Sequence, residues 1–439
     1  MRVNWIRSGK AVIVWMFFLG IFMLQGCTMI RMGRLFLKGR IEQRFIQEEL
    51  DFDYKGNLIV FDVKINNSER DYRFIFDTGA AFNVVSSEIA GTFQLVEKAK
   101  DSISDVNRKR GAIPFTVIDD IEVGGVHFFN TAAAVMDLDR TPELKCYNVD
   151  GVIGANLIRL VPHWKINYST RRMIFSDRPF DRVGEQVVYT IPFKKSIQRI
   201  PEVEVVIDGR EKLNFSVDLG SARAFSGSLE QLKKLRRLNG NMLLVKKLGE
   251  ISQGALGVSP GVGYTGKVKN LKIGNLSLKN PTLDFYEDTH PTIGNGFFGN
   301  YIFILDWNNK EIRLIPYTLD EPVLSSDSFG FQISYDEQGR YLYVNVIYDP
   351  SPAQREGLQV RDKIVEINGR KIGSVTLSEY CRSRFDPAVF FGRSGEIELK
   401  VERNGQVLEF FLKKSPLFCG SGIGIPLFQF IGRFPAGWE

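Results

Sequence analysis

The sequence has few of the residues that bind metal ions or form disulfide frameworks. Its 439 residues include only three histidines and four cysteines. The cysteines, Cys27, Cys146, Cys381 and Cys419, lie far apart and form no C-x-x-C pair, and no histidine has a second histidine or cysteine at ligand spacing. We therefore expect neither a zinc site nor a disulfide framework, and no cofactor.

The chain also lacks a charge surplus over most of its length. Residues 1–50 carry eight basic and three acidic side chains, so most of the net charge of +6 lies there. Because the rest is nearly neutral, we predict no nucleic-acid partner. Hydrophobic residues make up 44% and charged residues 25%, which is typical of a globular chain. The 41 glycines and 34 phenylalanines, with many short alternating runs, indicate mainly β structure.

The first thirty residues have the pattern of a secretion signal. Three basic side chains precede an apolar run of 14 residues at 11–24, which is short for a membrane-spanning helix. The run ends in Gly26 and Cys27, which resemble a bacterial lipobox, whose cysteine is lipidated. The sequence thus predicts a lipoprotein signal peptide at 1–26 and an envelope protein lipid-anchored to a membrane at Cys27, on the periplasmic or cell-surface side. An uncleaved anchor helix is the alternative, favoured by the basic residues within 31–40.

Two regions repeat the order strand, turn, strand and Asp-x-Gly. In the first, two alternating strands within residues 57–76 lead into Asp-Thr-Gly-Ala at 77–80. In the second, two strands within 201–217 lead into Asp-Leu-Gly-Ser at 218–221, which is 141 residues later. This repetition suggests that the chain contains two related halves.

Landmarks further along the chain keep the same offset. The triplet Val-Ile-Gly that ends at Gly154 matches Thr-Ile-Gly ending at Gly294, at an offset of 140, and a hairpin at 166–171 matches one at 305–310, at an offset of 139. A constant offset of this kind indicates an internal duplication. We predict two β lobes, at residues 50–185 and 186–317, after a basic membrane-proximal segment at 27–49.

The strand that ends in Asp-Thr-Gly-Ala, followed by an apolar-apolar-Gly triplet, resembles a lobe of the retropepsin and pepsin-like aspartic proteases. The resemblance implies a bilobal acid-protease β-barrel fold with one active site between the lobes. It identifies Asp77 and Asp218 as a catalytic pair. Two neighbouring carboxyls cannot both ionise easily, so they share a proton and supply both an acid and a base, as is known for this family. The active-site loops would comprise Thr78, Gly79, Ala80, Leu219, Gly220 and Ser221.

The two loops differ in a way that bears on activity. In the family, the threonine after each Asp hydrogen-bonds to the opposite loop, an arrangement we call the threonine bridge. Leu219 has no hydroxyl, so one side of this bridge should be missing, at a cost of about 1 kcal/mol. Because Ser221 can donate to Asp218, we predict that Asp218 is the more readily ionised carboxyl and that Asp77 holds the proton. We also expect Gly79 and Gly220 to allow tight turns beneath the carboxyls.

Two segments are candidates for a flap over the substrate, residues 101–115 and residues 252–266, and the sequence does not decide which of them closes. The second contains the pattern G-x-G-x-x-G at 261–266. The residues after it alternate like a strand, whereas a nucleotide-binding loop opens a helix, so we predict a glycine-rich hairpin. A helix capped by Ser228 has basic residues between its leucines, which indicates a solvated face in preference to a polyanion site.

A third module follows a predicted linker at 318–327. Residues 328–414 resemble a PDZ domain through Ser-Pro-Ala at 351–353 and the run from Asp362 to Gly369. The resemblance implies a loop that binds the C-termini of peptides or proteins, formed by Phe329, Gly330 and Phe331. The tail at 415–439 has no assignment.

Together these features predict a bacterial lipoprotein of the aspartyl protease family with a C-terminal PDZ domain. It would be a membrane-anchored endopeptidase that acts on polypeptides. The alternative is a catalytically inactive, protease-like envelope protein that binds polypeptides, with Leu219 marking the decayed site. A third hypothesis is a protease that cleaves only itself or one partner.

Overall fold

The computed structural model describes residues 32–104, 110–181, 188–238, 242–254, 256–287, 289–318 and 327–418. The predicted signal peptide, the lipidation site Cys27, most of the linker, Cys419 and the tail beyond residue 418 lie outside these residues. In the described part of the chain, no helix is both long and apolar enough to cross a membrane. The fold is mainly β, as the sequence predicts.

The first lobe is built on a nine-stranded sheet, whose strand Leu58–Ile65 is mostly buried. Residues 32–37, which form a short helix, bury Leu35 and Phe36 against this lobe. The strands are Arg40–Ile41, Asp53–Lys55, Leu58–Ile65, Tyr72–Phe76, Asn83–Ser86, Ala99–Ser104, Arg110–Val123, Val126–Met136 and Gly151–Ile153, and the further helices are Ser87–Thr92, Pro142–Lys145 and Ala155–Ile158.

The second lobe repeats this arrangement. Its helix starts after Ser228, whose side chain accepts from the Gln231 amide, while the Gln231 side chain accepts from the Ser228 amide. The helix buries Leu232 and Leu235 and leaves its basic side chains exposed, as predicted. The strands are Pro201–Ile207, Glu211–Val217, Phe225–Ser228, Leu244–Gly254, Gly257–Lys267, Asn270–Ile273, Leu276–Lys279, Thr282–Tyr286 and Thr292–Ile293, and the helices are Leu229–Leu238 and Asn295–Phe298.

Strand pairing confirms the internal duplication. In each lobe, the short strand of the apolar-apolar-Gly triplet runs parallel to the strand that precedes the aspartate, with Ile153 opposite Phe76 and Ile293 opposite Val217. On its other side, each triplet strand pairs antiparallel with the strand that leads into the lobe's helix. The glycine-rich segment predicted as a hairpin is a hairpin, with strand Gly257–Lys267 followed by another strand and not by a helix.

A six-stranded antiparallel sheet joins the lobes. Its central pair is His163–Asn167 with Tyr301–Asp306, so each lobe contributes one of the two middle strands. Side chains from both lobes fill one continuous core around it. Both hairpins predicted at these positions are present. The strands, in spatial order, are Gln47–Asp51, Arg172–Ser176, His163–Asn167, Tyr301–Asp306, Glu311–Pro316 and Tyr189–Lys195.

The third module has its own hydrophobic core. A short strand pair, Asp327–Ser328 with Ser415–Pro416, closes its ends, and the helix Leu377–Phe385 begins with a capping box of Thr376 and Glu379. The remaining strands are Phe331–Asp336, Tyr341–Asp349, Lys363–Ile367, Arg370–Lys371, Glu396–Arg403 and Gln406–Lys413, and the remaining helices are Pro352–Arg355 and Ala388–Phe391.

Two connections join this module to the lobes. The strand Leu244–Gly254 of the second lobe pairs antiparallel with Tyr341–Asp349, which continues the sheet from one domain into the other. Cys146 of the first lobe forms a disulfide with Cys381, 235 residues away in sequence. Our sequence analysis excluded a disulfide framework and did not predict this single disulfide. Spacing gave no sign of it because only the folded chain brings the two domains together.

Candidate active site

Asp77 and Asp218 meet between the lobes, each at the end of a strand. The triplet strands hold them there, since the Asp77 amide donates to Ile153 at 3.0 Å and the Asp218 amide donates to Ile293 at 2.9 Å. The two carboxyls hydrogen-bond to each other, and each side chain is only partly buried. The predicted pair is thus brought together by equivalent backbone bonds.

The triplets also support the loops that follow the aspartates. The Ala155 amide donates to the carbonyl of Ala80, and the Asn295 amide donates to the carbonyl of Ser221, both at 2.8 Å. A Cβ atom on Gly154 would lie 2.3 Å from the carbonyl oxygen of Phe82, and one on Gly294 would lie 2.4 Å from the carbonyl oxygen of Ser221. Glycine is needed in both triplets because the loop backbone passes this close.

Close packing also explains the glycines at 79 and 220, where we had expected tight turns to be the reason. Neither has a positive φ, so a tight turn does not require glycine at these positions. A Cβ atom on Gly79 would instead lie 2.6 Å from Cγ of Asp218, and one on Gly220 would lie 2.3 Å from Cγ of Asp77. Each glycine therefore makes room for the carboxyl of the opposite lobe.

The two carboxyls receive different numbers of backbone hydrogen bonds. Asp77 Oδ1 accepts from the amides of Gly79 at 2.7 Å and Ala80 at 3.0 Å. Asp218 Oδ1 accepts from the amide of Gly220 at 3.0 Å, and the amide of Ser221 also acts on this carboxyl. The Gly220 amide acts on Asp77 as well, so Asp77 has three amide donors and Asp218 has two. Because such bonds stabilise the charged form, this geometry favours a carboxylate at Asp77.

The pKa shifts agree with this assignment. Burial raises the pKa of both carboxyls, but at Asp77 the amides of Gly79 and Ala80 oppose the rise. The pKa of Asp218 lies well above its ordinary value, first through burial and then through the negative charge of Asp77. The amide bonds and the direction of the shifts favour the shared proton on Asp218, which is the reverse of our prediction. Ser221 acts on Asp218 through its backbone amide, while its hydroxyl accepts from the Arg223 amide at 3.4 Å.

The threonine bridge is one-sided, as predicted. Thr78 Oγ1 donates to the carbonyl of Val217 at 2.7 Å and accepts from the amide of Leu219 at 3.1 Å. Leu219 has 0% exposure and packs into the shared core instead of returning a hydroxyl to the first loop. Both bonds of this bridge thus come from Thr78, and the lobes are joined here as well by the carboxyl pair and by Asn57, which donates to the Ala222 carbonyl at 3.1 Å.

Two residues that our sequence analysis did not single out also hold the second loop. Asn295 Nδ2 donates to the carbonyl of Leu219 at 2.6 Å, and its Oδ1 accepts from the hydroxyl of Tyr168 at 2.7 Å. Arg223 donates to the carbonyl of Ile251 at 3.0 Å. Asn295 directly follows a triplet, and this position could have identified it as a site residue from the sequence. Nothing in the sequence indicated Arg223.

Both predicted flap segments lie on hairpins. The first flap hairpin is Ala99–Ser104 with Arg110–Val123, and the second is Leu244–Gly254 with Gly257–Lys267. The hairpins meet, because Leu256 packs against the first-lobe cluster and its Cδ1 would be 3.4 Å from a Cβ atom on Gly111. Through Arg223, the second flap hairpin is also bonded to the loop that carries Asp218.

The predicted peptide-terminus loop lies at the start of the third module. Gly330 has a φ of +88°, and a Cβ atom there would lie 2.2 Å from Ser351, so glycine is required. The phenylalanines on either side contact the module's core, with Phe331 ring-stacked edge-on to Phe391. Elsewhere in the described residues, no three His, Cys, Asp or Glu side chains are grouped to bind a metal ion.

Known protein families match two parts of the chain. Residues 61–157 match the aspartyl protease family, and residues 319–381 match the PDZ domain family. The chain therefore contains an aspartyl protease domain followed by a C-terminal PDZ domain. The first match includes Asp77 and Gly154 but ends before Asp218, whose relation to it rests on the repeated strand pairing. No curated protein matches the chain.

Proposed function

We propose that the chain is an aspartic endopeptidase in which Asp77 and Asp218 activate a water molecule, without a cofactor. The observation that carries the proposal is the interlobe carboxyl pair, in which one carboxyl accepts two amide bonds and the other has a strongly raised pKa. Two carboxyls with pKa values pushed apart can act as base and acid at the same time.

In the proposed reaction, the Asp77 carboxylate takes a proton from water as the water oxygen attacks the peptide carbonyl carbon. Asp218 gives its proton to the carbonyl oxygen, which forms a neutral tetrahedral intermediate. Collapse of this intermediate returns a hydroxyl proton to Asp218, while Asp77 protonates the leaving nitrogen and the C–N bond breaks. The pair ends in the protonation state in which it began, as catalysis requires.

We propose that the flap hairpins cover the carboxyl pair and the bound substrate during the reaction. The hairpins contact each other through Leu256, and we propose that substrate entry separates them and that their closure excludes water. Both hairpins would take part in this opening and closure, because each supplies one side of the contact.

We further propose that the protein is lipid-anchored through Cys27 in a bacterial cell envelope, with its domains outside the cytoplasm. The lipobox-like sequence supports the anchor. The Cys146–Cys381 disulfide supports the compartment, because such bonds persist in oxidising environments and are rare in the cytosol. Metabolic labelling with a fatty acid, lost in Cys27→Ser but kept in Cys419→Ser, would test the anchor.

The test of activity is cleavage of a complex peptide library by the chain 28–439, followed by mass spectrometry at pH values from about 4 to 8 because the optimum depends on the pKa values of the pair. Asp77→Asn and Asp218→Asn variants run alongside. Cleavage lost in both variants would establish the pair and reveal the specificity. Cleavage that persists in both would place the active site elsewhere.

A non-enzymatic polypeptide-binding role is the second candidate, and buried Leu219 favours it. If folded protein cleaves nothing at any pH but still binds library peptides, this second role replaces the first. Cleavage confined to the chain itself would instead indicate self-limited processing.

A further inference from the structure

The peptide-binding edge of the PDZ domain borders a groove, which we define as the space between strand Phe331–Asp336 and helix Leu377–Phe385. PDZ domains bind peptides by adding them to a sheet edge. Within the described residues, strand Phe331–Asp336 pairs on one side only, with Tyr341–Asp349. The rings of Tyr335 and Tyr380 stack with centroids 5.4 Å apart, which places the helix against the strand.

A segment of the first lobe already occupies this groove. Its helical turn Pro142–Lys145 touches both the strand and the helix, and Glu143 is only 7% exposed. Glu143 Oε1 accepts hydrogen bonds from the hydroxyl of Ser334 on the strand and, at 2.8 Å, from the hydroxyl of Tyr380 on the helix. One carboxylate thus bridges the two walls.

Neighbouring residues of the same segment extend the contact. Lys145 Nζ lies 2.7 Å from Glu337, at the end of the edge strand. Cys146 is bonded to Cys381 on the groove's helix and is counted among the buried residues of the PDZ core. The segment is therefore held by a buried acid, an ion pair and a covalent bond.

The loop predicted to bind a chain terminus is engaged in other bonds. The Gly330 amide donates to the hydroxyl of Ser328 at 3.0 Å. The Gly330 carbonyl accepts from the Tyr348 amide at 2.9 Å. The carboxyl group that the groove binds belongs to the side chain of Glu143 and not to a chain terminus.

We infer that this PDZ groove is a site for an internal acidic segment, and that its resident ligand is the chain's own segment from Thr141 to Tyr147, fixed by the Cys146–Cys381 disulfide. Peptides from outside gain access only after that bond is opened. Opening it needs a dithiol, which gives two electrons and two protons to the disulfide and itself becomes a disulfide, leaving two thiols on the protein. The inference does not depend on proteolytic activity.

The test uses the chain 28–439 with Asp77→Asn, so that the probe is not cut. The probe is a fluorescent peptide with the sequence of residues 139–148, Ser in place of Cys146 and an amidated C-terminus. Fluorescence anisotropy compares the disulfide-bonded chain with Cys146→Ser/Cys381→Ser/Glu143→Gln. We expect saturable binding to the triple variant and none to the disulfide-bonded chain.

Two matched controls show what the groove recognises. A probe with Gln in place of Glu143 should bind about tenfold or more weakly, because it loses a buried charge-assisted bond. The second control is the protein variant Cys146→Ser/Cys381→Ser/Glu337→Gln, which keeps Glu143. It should free the groove for the probe much less than the variant with Glu143→Gln does, because the ion pair of Glu337 is half exposed. Equal binding of both probes would overturn the assignment of Glu143.

A measurement on the unmodified chain covers the case in which the triple variant does not fold. Digestion without reduction should yield a peptide that joins Cys146 to Cys381, and dithiol treatment should then permit probe binding. Free thiols at both positions would overturn the inference. Probe binding to the disulfide-bonded chain, or no binding after reduction, would do the same.

Discussion

The two lobes share one backbone frame and differ in the side chains placed on it. Each aspartate is held by a triplet carbonyl and each following loop by the next amide, at nearly equal distances in both lobes. Thr78 reaches across to the second lobe, whereas Leu219 is buried and returns nothing. The backbone bonds of the pair are thus symmetric, whereas the side-chain bonds between the loops are not, and the difference in amide donors favours the proton on Asp218.

The strands on which the flap hairpins pack differ as well. Where Val84 pairs with Ala134 in the first lobe, Ser226 pairs with Asp284 in the second. The first site is apolar, while Asp284 accepts a hydrogen bond from the buried Lys247 at 2.6 Å. A buried ion pair thus joins the second flap hairpin to strand Thr282–Tyr286. In the described residues, this hairpin alone of the two pairs with a PDZ strand.

The largest expected effect concerns the two aspartates. Asp77→Asn removes the base and Asp218→Asn removes the acid, so each should lower the turnover of a cleaved peptide by about a thousandfold or more. Asp62→Asn, at an exposed strand position of the first lobe, is the control and should keep full activity. A strong loss in only one of the two variants would show that the lobes are unequal in catalysis as well as in structure.

Thr78→Val should have the next largest effect. It leaves the Val217 carbonyl and the Leu219 amide without their partner in a buried site, at a cost of about 2–3 kcal/mol in the free energy of unfolding. Thr78→Ser keeps the hydroxyl and should lose much less. Urea unfolding of the two variants makes the comparison, and a loss in Thr78→Ser without a loss in Thr78→Val would mean that packing of the methyl group, not the bridge, matters at this position.

Leu219→Thr should sharpen the comparison by making the loops alike. A hydroxyl there can complete the bridge, so we expect a severalfold rise in turnover, equivalent to about 1 kcal/mol. Loss of leucine packing should offset most of the gain in stability. Leu219→Val is the matched control, because it reduces the side chain without adding a hydroxyl, and a rise in both variants would argue against the bridge.

The smallest effect comes from Lys247. Burial, opposed by Asp284, lowers its pKa to about 8, below the value of roughly 10.4 for an unfolded chain. Between these values the unfolded state binds more protons, so this residue makes the protein more stable as pH rises from about 8 towards 10. The difference in free energy of unfolding between the wild type and Lys247→Met should therefore change with pH over that window. A constant difference would show that the lysine keeps its ordinary pKa.

Local pattern was enough to predict the strands, the duplicated loops and the missing hydroxyl of Leu219. These features depend on residues that are near one another in sequence or at equal offsets. The proton's position was not predictable, because it depends on how many amides point at each carboxyl. Neither was the pairing of Cys146 with Cys381, nor the bond from Arg223 to the flap hairpin, since both arise only when distant segments pack.

The pairing of Leu244–Gly254 with the PDZ strand has a consequence for solubility. A long hairpin strand without a neighbour offers a row of free amides and carbonyls on which other chains can aggregate. The PDZ strand Tyr341–Asp349 covers part of that row, from Lys246 to Gly249. The PDZ domain thus covers part of this edge of the second lobe, and we expect both domains to be needed together for a chain that stays monomeric.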